Sequence, residues 1–381
     1  MSKSQKLIGV DARTVYQPTR RGIGKTLLEL YRQLAVIRPE WRFIMFHQID
    51  LADNPFAGIS NITHKKIDIY GDRFDFWQEI RLPMAAKLAG VDLLHCPANT
   101  TPRYPLVPIV VTVHDLIPME SETLTVADEK WARNVGRGIR NAMRIITPSE
   151  YTRNKIVERF GDWTDKITVN PWASDTRCTK VTDSAELSRV RQKYGLKVDQ
   201  SYVFGFGAGD PRKNTERIIL AWKELPQELQ MRYALLLVGI QEQARQGFIA
   251  KVRDLKITES VILQGFADEL DLPALLSGAE VLCYPSLSEG FGLPILDAFA
   301  CETAVITSTT TSLPEVAGDA AILVDPMRSS SIADGLVKVL TNKELKESLV
   351  RRGCERNRQF TWVACANRVA DVFEKVSDAV S

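Results

Sequence analysis

The sequence is poor in the residues that hold metals and cross-links. It has four histidines and six cysteines in 381 residues. Neither an H-x-x-H nor a C-x-x-C pair occurs, so the usual spacings of a zinc site and of a redox pair are missing. No D-x-D motif offers paired carboxylates to a divalent cation. Cys96, Cys178, Cys283, Cys301, Cys354 and Cys365 are scattered, several inside apolar segments. They read as reduced, buried, structural thiols of a cytosolic protein. No apolar run approaches the roughly 18–20 residues that span a bilayer. The polar start Met1–Lys6 runs straight into the apolar stretch Leu7–Val10, with no signal-peptide region before it. Net charge is only +2, so nothing global demands nucleic acid. Solenoid repeats and low-complexity tracts are missing as well.

What is present is enough chain for two cores. Apolar residues make up 45% and charged residues 25%, the balance of a globular protein. Short β-branched runs alternate with longer amphipathic stretches, the pattern of parallel sheets with helical crossovers. The first series predicts strands at Leu7–Ala12, Arg42–Phe46, Val91–Cys96, Pro108–His114, Arg144–Pro148 and Lys166–Asn170. Helices are predicted at 22–37, 75–89, 127–143 and 149–160. From Trp172 to Asp183 the apolar pattern lapses, which reads as a linker. The second series predicts strands at Tyr202–Gly207, Tyr233–Gly239, Ser260–Gln264, Val281–Pro285, Ala304–Thr307 and Ala321–Val324. Its helices are predicted at 215–225, 241–255, 269–278, 292–301 and 329–341, with 343–358 and 362–379 closing the chain. The expected division is residues 1–173, a linker at 174–184, a second domain at 185–358, and a last helix at 359–381 crossing back to the first domain. Open parallel sheets place ligands at the carboxyl ends of their strands, so two such sheets facing each other would share one cleft.

Chemistry-bearing residues cluster just after strands. Ser288-Glu289-Gly290-Phe291-Gly292-Leu293-Pro294 follows the strand Val281–Pro285 and opens a helix that carries Asp297. Its glycines permit close backbone approach, and the helix end supplies unpaired N–H groups that suit an anion. Gly205-Phe206-Gly207-Ala208-Gly209-Asp210-Pro211-Arg212-Lys213-Asn214 follows the first strand of the second series. There Arg212 offers a planar fork and Lys213 a point charge, both suited to a diphosphate. Neither Gly205 nor Gly207 begins a G-x-G-x-x-G, so this is not a dinucleotide fingerprint. Thr19-Arg20-Arg21-Gly22-Ile23-Gly24-Lys25-Thr26 imitates a P-loop, but Thr19 stands where the first glycine is required. The strand Ile109–Val113 ends in His114-Asp115, where the carboxylate would either orient the imidazole or cap the next turn. His95 is a weaker candidate with a core or turn role as the default. Gln264-Gly265-Phe266-Ala267-Asp268 is another strand–helix junction.

The segment Glu289 to Asp297 resembles the acid-x7-acid signature of the retaining GT-B-fold glycosyltransferases of family 4. The Arg212-Lys213-Asn214 segment, the Gly22-Ile23-Gly24 loop and His114 resemble further motifs of that family, in the same order, over nearly the whole chain. The closest flavour is the mannosyltransferase-like bacterial branch that builds surface polysaccharides. The resemblance implies two Rossmann-like domains and a nucleotide-sugar donor. It places Glu289 on the donor sugar hydroxyls, Gly290, Phe291, Gly292 and Leu293 on the diphosphate, and Asp297, usually Glu in the family, on the ribose. Gly24 and Gly209 are expected near the phosphates, Gly265 and Phe266 at the nucleobase, and His114 at the transferred sugar.

The implied reaction needs neither metal nor cofactor, since the nucleotide sugar is itself a substrate. Arg212, Lys213 and the helix end would stabilise the leaving diphosphate. Retention would arise by attack on the face the leaving group departs from. The donor is expected to be a UDP-hexose or GDP-mannose, and the acceptor a saccharide or lipid-linked saccharide. Two other readings stand: a nucleotide-sugar epimerase of the same fold, and a non-catalytic sugar-nucleotide-binding module. Charge is uneven, with 24 Lys and Arg against 20 Asp and Glu in residues 1–175 and 25 against 27 in the rest. Lys130, Arg133, Arg137, Arg140 and Arg144 recur along one predicted helix, as a solvated face or as a patch resting on anionic membrane. The expected location is therefore cytoplasmic, with peripheral contact at the inner face of the plasma membrane.

Overall fold

The computed structural model describes residues 5–20, 22–51, 53–68, 76–120, 125–197 and 200–379. The start Met1–Ser4, Arg21 and position 75 of the expected helix 75–89 lie outside the described residues. The chain divides into two compact units, Met1–Trp172 with Thr361–Ser381, and Ala173–Phe360.

The first unit opens with β1 (Leu7–Asp11), α1 (Gly22–Ile37), β2 (Arg42–His47) and β3 (Ile62–Lys66). A π-helical turn at Trp77–Arg81 runs into α2 (Leu82–Leu88). β4 (Leu93–Cys96), β5 (Ile109–Thr112), α3 (Val126–Asn141), β6 (Arg144–Thr147), α4 (Glu150–Phe160) and β7 (Ile167–Val169) follow. The strands pair in parallel in the order β3-β2-β1-β4-β5-β6-β7. Every residue of β4 and β5 is buried, as expected of parallel strands covered on both faces. β3, which the apolar pattern does not predict, is an edge strand with only Ile62 buried. Leu27, Leu30, Tyr31 and Leu34 recur at helical spacing and form the buried side of α1. Thr125 and Asp128 form a reciprocal capping box at the start of α3. Arg144 is the first residue of β6, so it does not continue the basic helix face.

The second unit comprises α5 (Ser184–Lys193), β8 (Ser201–Phe206), α6 (Thr215–Glu224), α7 (Gln227–Arg232), β9 (Tyr233–Val238), α8 (Glu242–Asp254), β10 (Val261–Leu263) and α9 (Leu272–Ser277). It continues with β11 (Val281–Tyr284), α10 (Leu293–Ala300), β12 (Ala304–Ser308), α11 (Leu313–Ala317), β13 (Ile322–Val324), α12 (Ser329–Thr341) and α13 (Lys343–Asn357). Its parallel sheet runs β10-β9-β8-β11-β12-β13. Trp222 is fully buried in its core, and its indole N–H donates to Ser260 Oγ at 3.0 Å, which satisfies its one polar atom. Segment 173–181 is held to this unit, with the Val181 N–H donating to Ser277 Oγ at 2.9 Å and Lys180 Nζ to Ser277 O at 3.0 Å.

The last helix, α14 (Trp362–Asp378), belongs to the first unit. It packs against α1 and buries Cys365, Val369 and Phe373. The Phe373 ring lies 5.4 Å from His95 and 6.5 Å from Trp41, and removing such a ring typically costs about 3–5 kcal/mol. Lys6–Asp378 and Arg38–Glu374 ion pairs, at 3.1 and 3.3 Å, tie its last turns to the body of the unit.

In both sheets the strand order reverses beside the first strand. β1 lies between β2 and β4, and β8 between β9 and β11. At such a switch point two successive strand-to-helix loops part in opposite directions and leave a crevice at the carboxyl ends.

Candidate functional site

In the second unit the switch point is formed by the loops after β8 and β11. β11 ends in Tyr284, and the chain then runs through Glu289 to Gly292. Gly292 has φ 124° and ψ 44°, a conformation closed to most side chains, and an added Cβ would lie 2.8 Å from Leu313. Pro294 then sits in the first turn of α10, where its missing N–H costs nothing. The loop after β8 closes a short 3₁₀ turn at Pro211–Lys213, capped by the Asp210 carboxylate on the Arg212 N–H at 3.0 Å. Asn214 follows in the left-handed region, and its side-chain amide donates to Pro285 O at 2.9 Å and Pro326 O at 2.7 Å. The Leu287 N–H donates to Arg212 O at 2.8 Å. These bonds clamp the two loops together.

The result is a polar triad. Lys213 Nζ stands 2.7 Å from Glu289 Oε1 and 3.1 Å from the Tyr284 hydroxyl, and Tyr284 donates to the same Glu289 oxygen at 2.7 Å. Burial works against the ammonium, but the Tyr284 and Glu289 oxygens outweigh it and hold the Lys213 pKa above the usual lysine value. Burial, reinforced by Glu289, raises the Tyr284 phenol in turn, so it stays a protonated donor. Arg212 is half-buried and pairs with Asp210 at 2.5 Å.

The other expected residues of this unit are spread more widely. Phe291 is buried edge-on to Phe360, 6.1 Å between ring centroids, so its ring is a packing element. The Gly209 N–H donates to Gln241 Oε1 at 2.9 Å. A Cβ at Gly265 would meet nothing, and neighbouring Phe266 is exposed. Asp297 is buried on α10, where its Oδ1 accepts the Asp175 N–H at 2.9 Å. Leu293 begins that helix.

In the first unit, His114 follows β5. Its Nε2–H donates to Pro97 O at 2.6 Å, and its backbone N–H donates to Asn99 Oδ1 at 2.7 Å. Burial pushes the ring down to about 4, partly opposed by the Pro97 carbonyl, so it is neutral at pH 7 with Nδ1 as its acceptor. Trp172 lies 5.7 Å away, and both rings line a small cavity with Ile23 and Thr26 of α1. Asp115 caps the following turn by accepting the Ile117 N–H at 3.2 Å. His95 is a core residue between the Tyr31 hydroxyl at 2.9 Å and Thr112 Oγ1 at 2.8 Å, pushed down to about 3 by burial and then by His114. Gly24 lies in the first turn of α1, where a Cβ would come within 2.2 Å of Thr14 O. Close packing of two backbone segments therefore already requires glycine there. Among the described residues no group of three or more His, Cys, Asp or Glu could hold a metal ion. No described helix is long and apolar enough to cross a membrane.

Two family models match the chain: glycosyltransferase family 4 over residues 20–177, and glycosyl transferases group 1 over residues 188–356. O-antigen chain mannosyltransferase B of Escherichia coli is 28% identical over 379 residues, spanning 93% of this chain and 96% of that protein. This chain is a GT-B-fold glycosyltransferase related to both families. The glycosyltransferase is also 28% identical over 273 residues to the serotype-specific mannosyltransferase WbdA of Escherichia coli, covering 70% of this chain and 33% of WbdA. Its fold matches sucrose-phosphate synthase from Thermosynechococcus elongatus with a TM-score of 0.78 at 19% identity, over 99% of this chain and 100% of that one. Anabaena HepE, solved with UDP and glucose, matches with a TM-score of 0.73 at 18% identity, over 98% and 100%.

Sequence reasoning missed several parts of the glycosyltransferase's second unit. Tyr284 is one; an aromatic at the end of an apolar strand, just ahead of Gly-rich sequence, is its only signal. The run Thr307-Ser308-Thr309-Thr310-Thr311-Ser312 is another. From it Ser312 Oγ lies 2.8 Å from Glu289 O and 2.7 Å from Phe291 O, Thr310 donates to Leu287 O at 3.1 Å, and Thr311 accepts the Glu289 N–H at 3.3 Å. Six consecutive hydroxyl residues running from the end of β12 into the next loop are the visible clue. The direct pairing of Lys213 with Glu289 was also missed, because tertiary structure alone brings positions 76 residues apart together.

Proposed function

We propose that this glycosyltransferase moves a mannosyl or other hexosyl group from a nucleoside diphosphate sugar to a saccharide or lipid-linked saccharide, with retention of configuration. The observation that carries the reading is the Lys213 ammonium, held 2.7 Å from Glu289 and 3.1 Å from Tyr284 at the switch point of the second sheet. Breaking the glycosyl–phosphate bond builds negative charge on the diphosphate. A fixed ammonium, the Arg212 guanidinium and the first-turn N–H groups of α10 stabilise that charge without reorganising. The amides from Gly290 to Leu293 are the proposed diphosphate contacts. Glu289, oriented by Lys213 and Tyr284, positions the sugar through its hydroxyls and does not attack it. Asp297 is proposed to hold the ribose while bracing Asp175, and the open surface at Gly265 and Phe266 to take the base. The neutral His114 is assigned to a hydroxyl of the transferred sugar through Nδ1. No metal is assigned a role.

GDP-mannose is the favoured donor, because mannosyl transfer is what O-antigen chain mannosyltransferase B and WbdA are named for. A UDP-hexose is the second reading, motivated by the UDP and glucose found with HepE. The test is release of nucleoside diphosphate by the purified chain from GDP-mannose and from UDP-glucose, with and without a mannoside acceptor, with the product anomer read by NMR. Acceptor-dependent release with an α-configured product supports the proposal. Conversion of donor with no acceptor present would indicate an epimerase, and an inverted product would remove the retaining mechanism.

A further inference from the structure

β11 and β12 lie side by side in parallel, with Tyr284 opposite Thr307, so the loops leaving their carboxyl ends continue together. The first loop, residues 285–292, carries Glu289 and most of the amides assigned to the diphosphate. The second is the hydroxyl run 307–312, which takes no step in the reaction. Its side chains reach across mainly to carbonyls of the first. Thr307 Oγ1 donates to Tyr284 O at 2.9 Å and Thr310 Oγ1 to Leu287 O at 3.1 Å. Ser312 Oγ shares its one proton between Glu289 O at 2.8 Å and Phe291 O at 2.7 Å. Thr311 Oγ1 works in the other sense and accepts the Glu289 N–H at 3.3 Å.

The carbonyl bonds fix where the amides point. A trans peptide unit is planar, with its C=O and N–H directed oppositely. Ser312 draws in the oxygens of the units 289–290 and 291–292. It thereby turns the N–H groups of Gly290 and Gly292 to the side away from the hydroxyl run. N–H groups aligned on one side of a loop suit an anion.

Two features separate this arrangement from ordinary loop packing. Ser312 stands at the N-cap of α11 but makes no side-chain cap bond there. A serine in that position usually accepts a first-turn N–H, whereas this hydroxyl is buried and turned to the neighbouring loop. Thr311 has φ 59°, and of the five described non-glycine residues with positive φ it alone is β-branched. That conformation strains a threonine and suits a glycine, so the backbone gives no reason for threonine here. The hydroxyl on the Glu289 N–H does.

We propose that Ser312 and Thr311 are positioning residues for the diphosphate, a role that rests on the function proposed for loop 285–292. Ser312 holds the carbonyls of Glu289 and Phe291, and Thr311 holds the Glu289 amide. Between them they keep the N–H groups of Gly290 and Gly292 oriented before the nucleotide arrives, so that binding does not have to order the loop.

The test is isothermal titration calorimetry of the full chain with GDP, UDP, guanosine and uridine. The wild-type chain should bind one diphosphate more tightly than its own nucleoside. Ser312→Ala should raise the Kd of that diphosphate about 10–100-fold, as when a group orienting a metal ligand is removed, and leave the nucleoside within about twofold. Thr311→Gly, whose backbone suits the turn, should keep the wild-type circular dichroism and weaken the diphosphate selectively. Thr311→Ser, which retains the hydroxyl, should restore it. Unchanged diphosphate affinity in a folded variant overturns the assignment for that residue and leaves the proposed function standing. Equal weakening of diphosphate and nucleoside overturns it as well, because a merely structural role moves both. If the wild-type chain binds neither diphosphate more tightly than its nucleoside, the function proposed for the loop fails and the assignment falls with it. Should Ser312→Ala not fold, the two Thr311 variants decide the outcome.

Discussion

Replacing Lys213 by methionine keeps the length of the side chain and removes its charge, which separates a catalytic role from a structural one. Two costs are expected, and they differ in size and in remedy. Loss of one fixed donor to the developing diphosphate charge lowers kcat by about 10²–10³, or about 2.7–4 kcal/mol of transition-state stabilisation. The structural cost comes from Glu289, left without its cation in a half-buried place. The paired side chains are 28% and 14% exposed. A fully buried pair broken in this way costs about 3–5 kcal/mol, and an exposed one about 0–1. The intermediate burial here gives about 2 kcal/mol, a fall of roughly 4–8 °C in the melting temperature of the unit that holds it. Adding Glu289→Gln removes the orphaned charge, so the double variant should recover a large part of the lost stability and none of the lost rate. The assays are thermal melting followed by circular dichroism, and initial rates at saturating donor. A Lys213→Met enzyme within about threefold of wild-type kcat would refute the charge-stabilisation argument. A double variant that regained both rate and stability would show that Lys213 acts only by holding Glu289.

Acid should destabilise the first unit through its two buried imidazoles. Burial holds His114 at about 4 and His95 at about 3. Both lie below the unfolded value near 6.5, so the unfolded chain takes up protons first. The stabilisation is complete above about pH 6.5 and is lost as pH falls toward 4 and then 3, about 2 kcal/mol per ring by pH 5. In urea melts at pH 7.5 and 5, His95→Gln should be less stable at the higher pH but lose about 2 kcal/mol less on acidification; an unchanged pH dependence would contradict the assignment. Gly24→Ala should lower the melting temperature despite alanine's helix propensity, because overpacking against Thr14 O outweighs the roughly 1 kcal/mol gain. An unchanged or raised melting temperature would show that the Thr14 carbonyl yields freely.

The alternation of strands and helices was legible because the central strands are continuous apolar runs, such as Tyr233–Val238, in which every residue is buried. β3 escaped for the opposite reason. Its Ile62-Thr63-His64-Lys65-Lys66 is a solvated sheet edge, held by backbone pairing to β2 and by one buried isoleucine. α5 escaped because Val190 is its only buried residue, which leaves no apolar period to detect. At the site, Lys213 and Glu289 were each readable from local context, since loop cations and glycine-flanked acids sit at strand ends. Their contact was not, because it depends on the register of β8 beside β11 and on the Asn214 clamp. Gly24 illustrates the converse. The family resemblance implied a phosphate contact there, and the crowding at Thr14 O is by itself a sufficient reason for a glycine.

The position of α14 bears on the order in which the protein can be assembled on the ribosome. Ala173–Phe360 is one uninterrupted stretch, so the second unit can close as soon as it has emerged. The first unit cannot. The sides of Trp41 and His95 that Phe373 covers stay bare until α14 has been translated, after the whole of the second unit. The usual sequence of domain completion is thereby reversed, and until α14 emerges the nascent protein carries an unfinished first unit as a ready target for holdase chaperones.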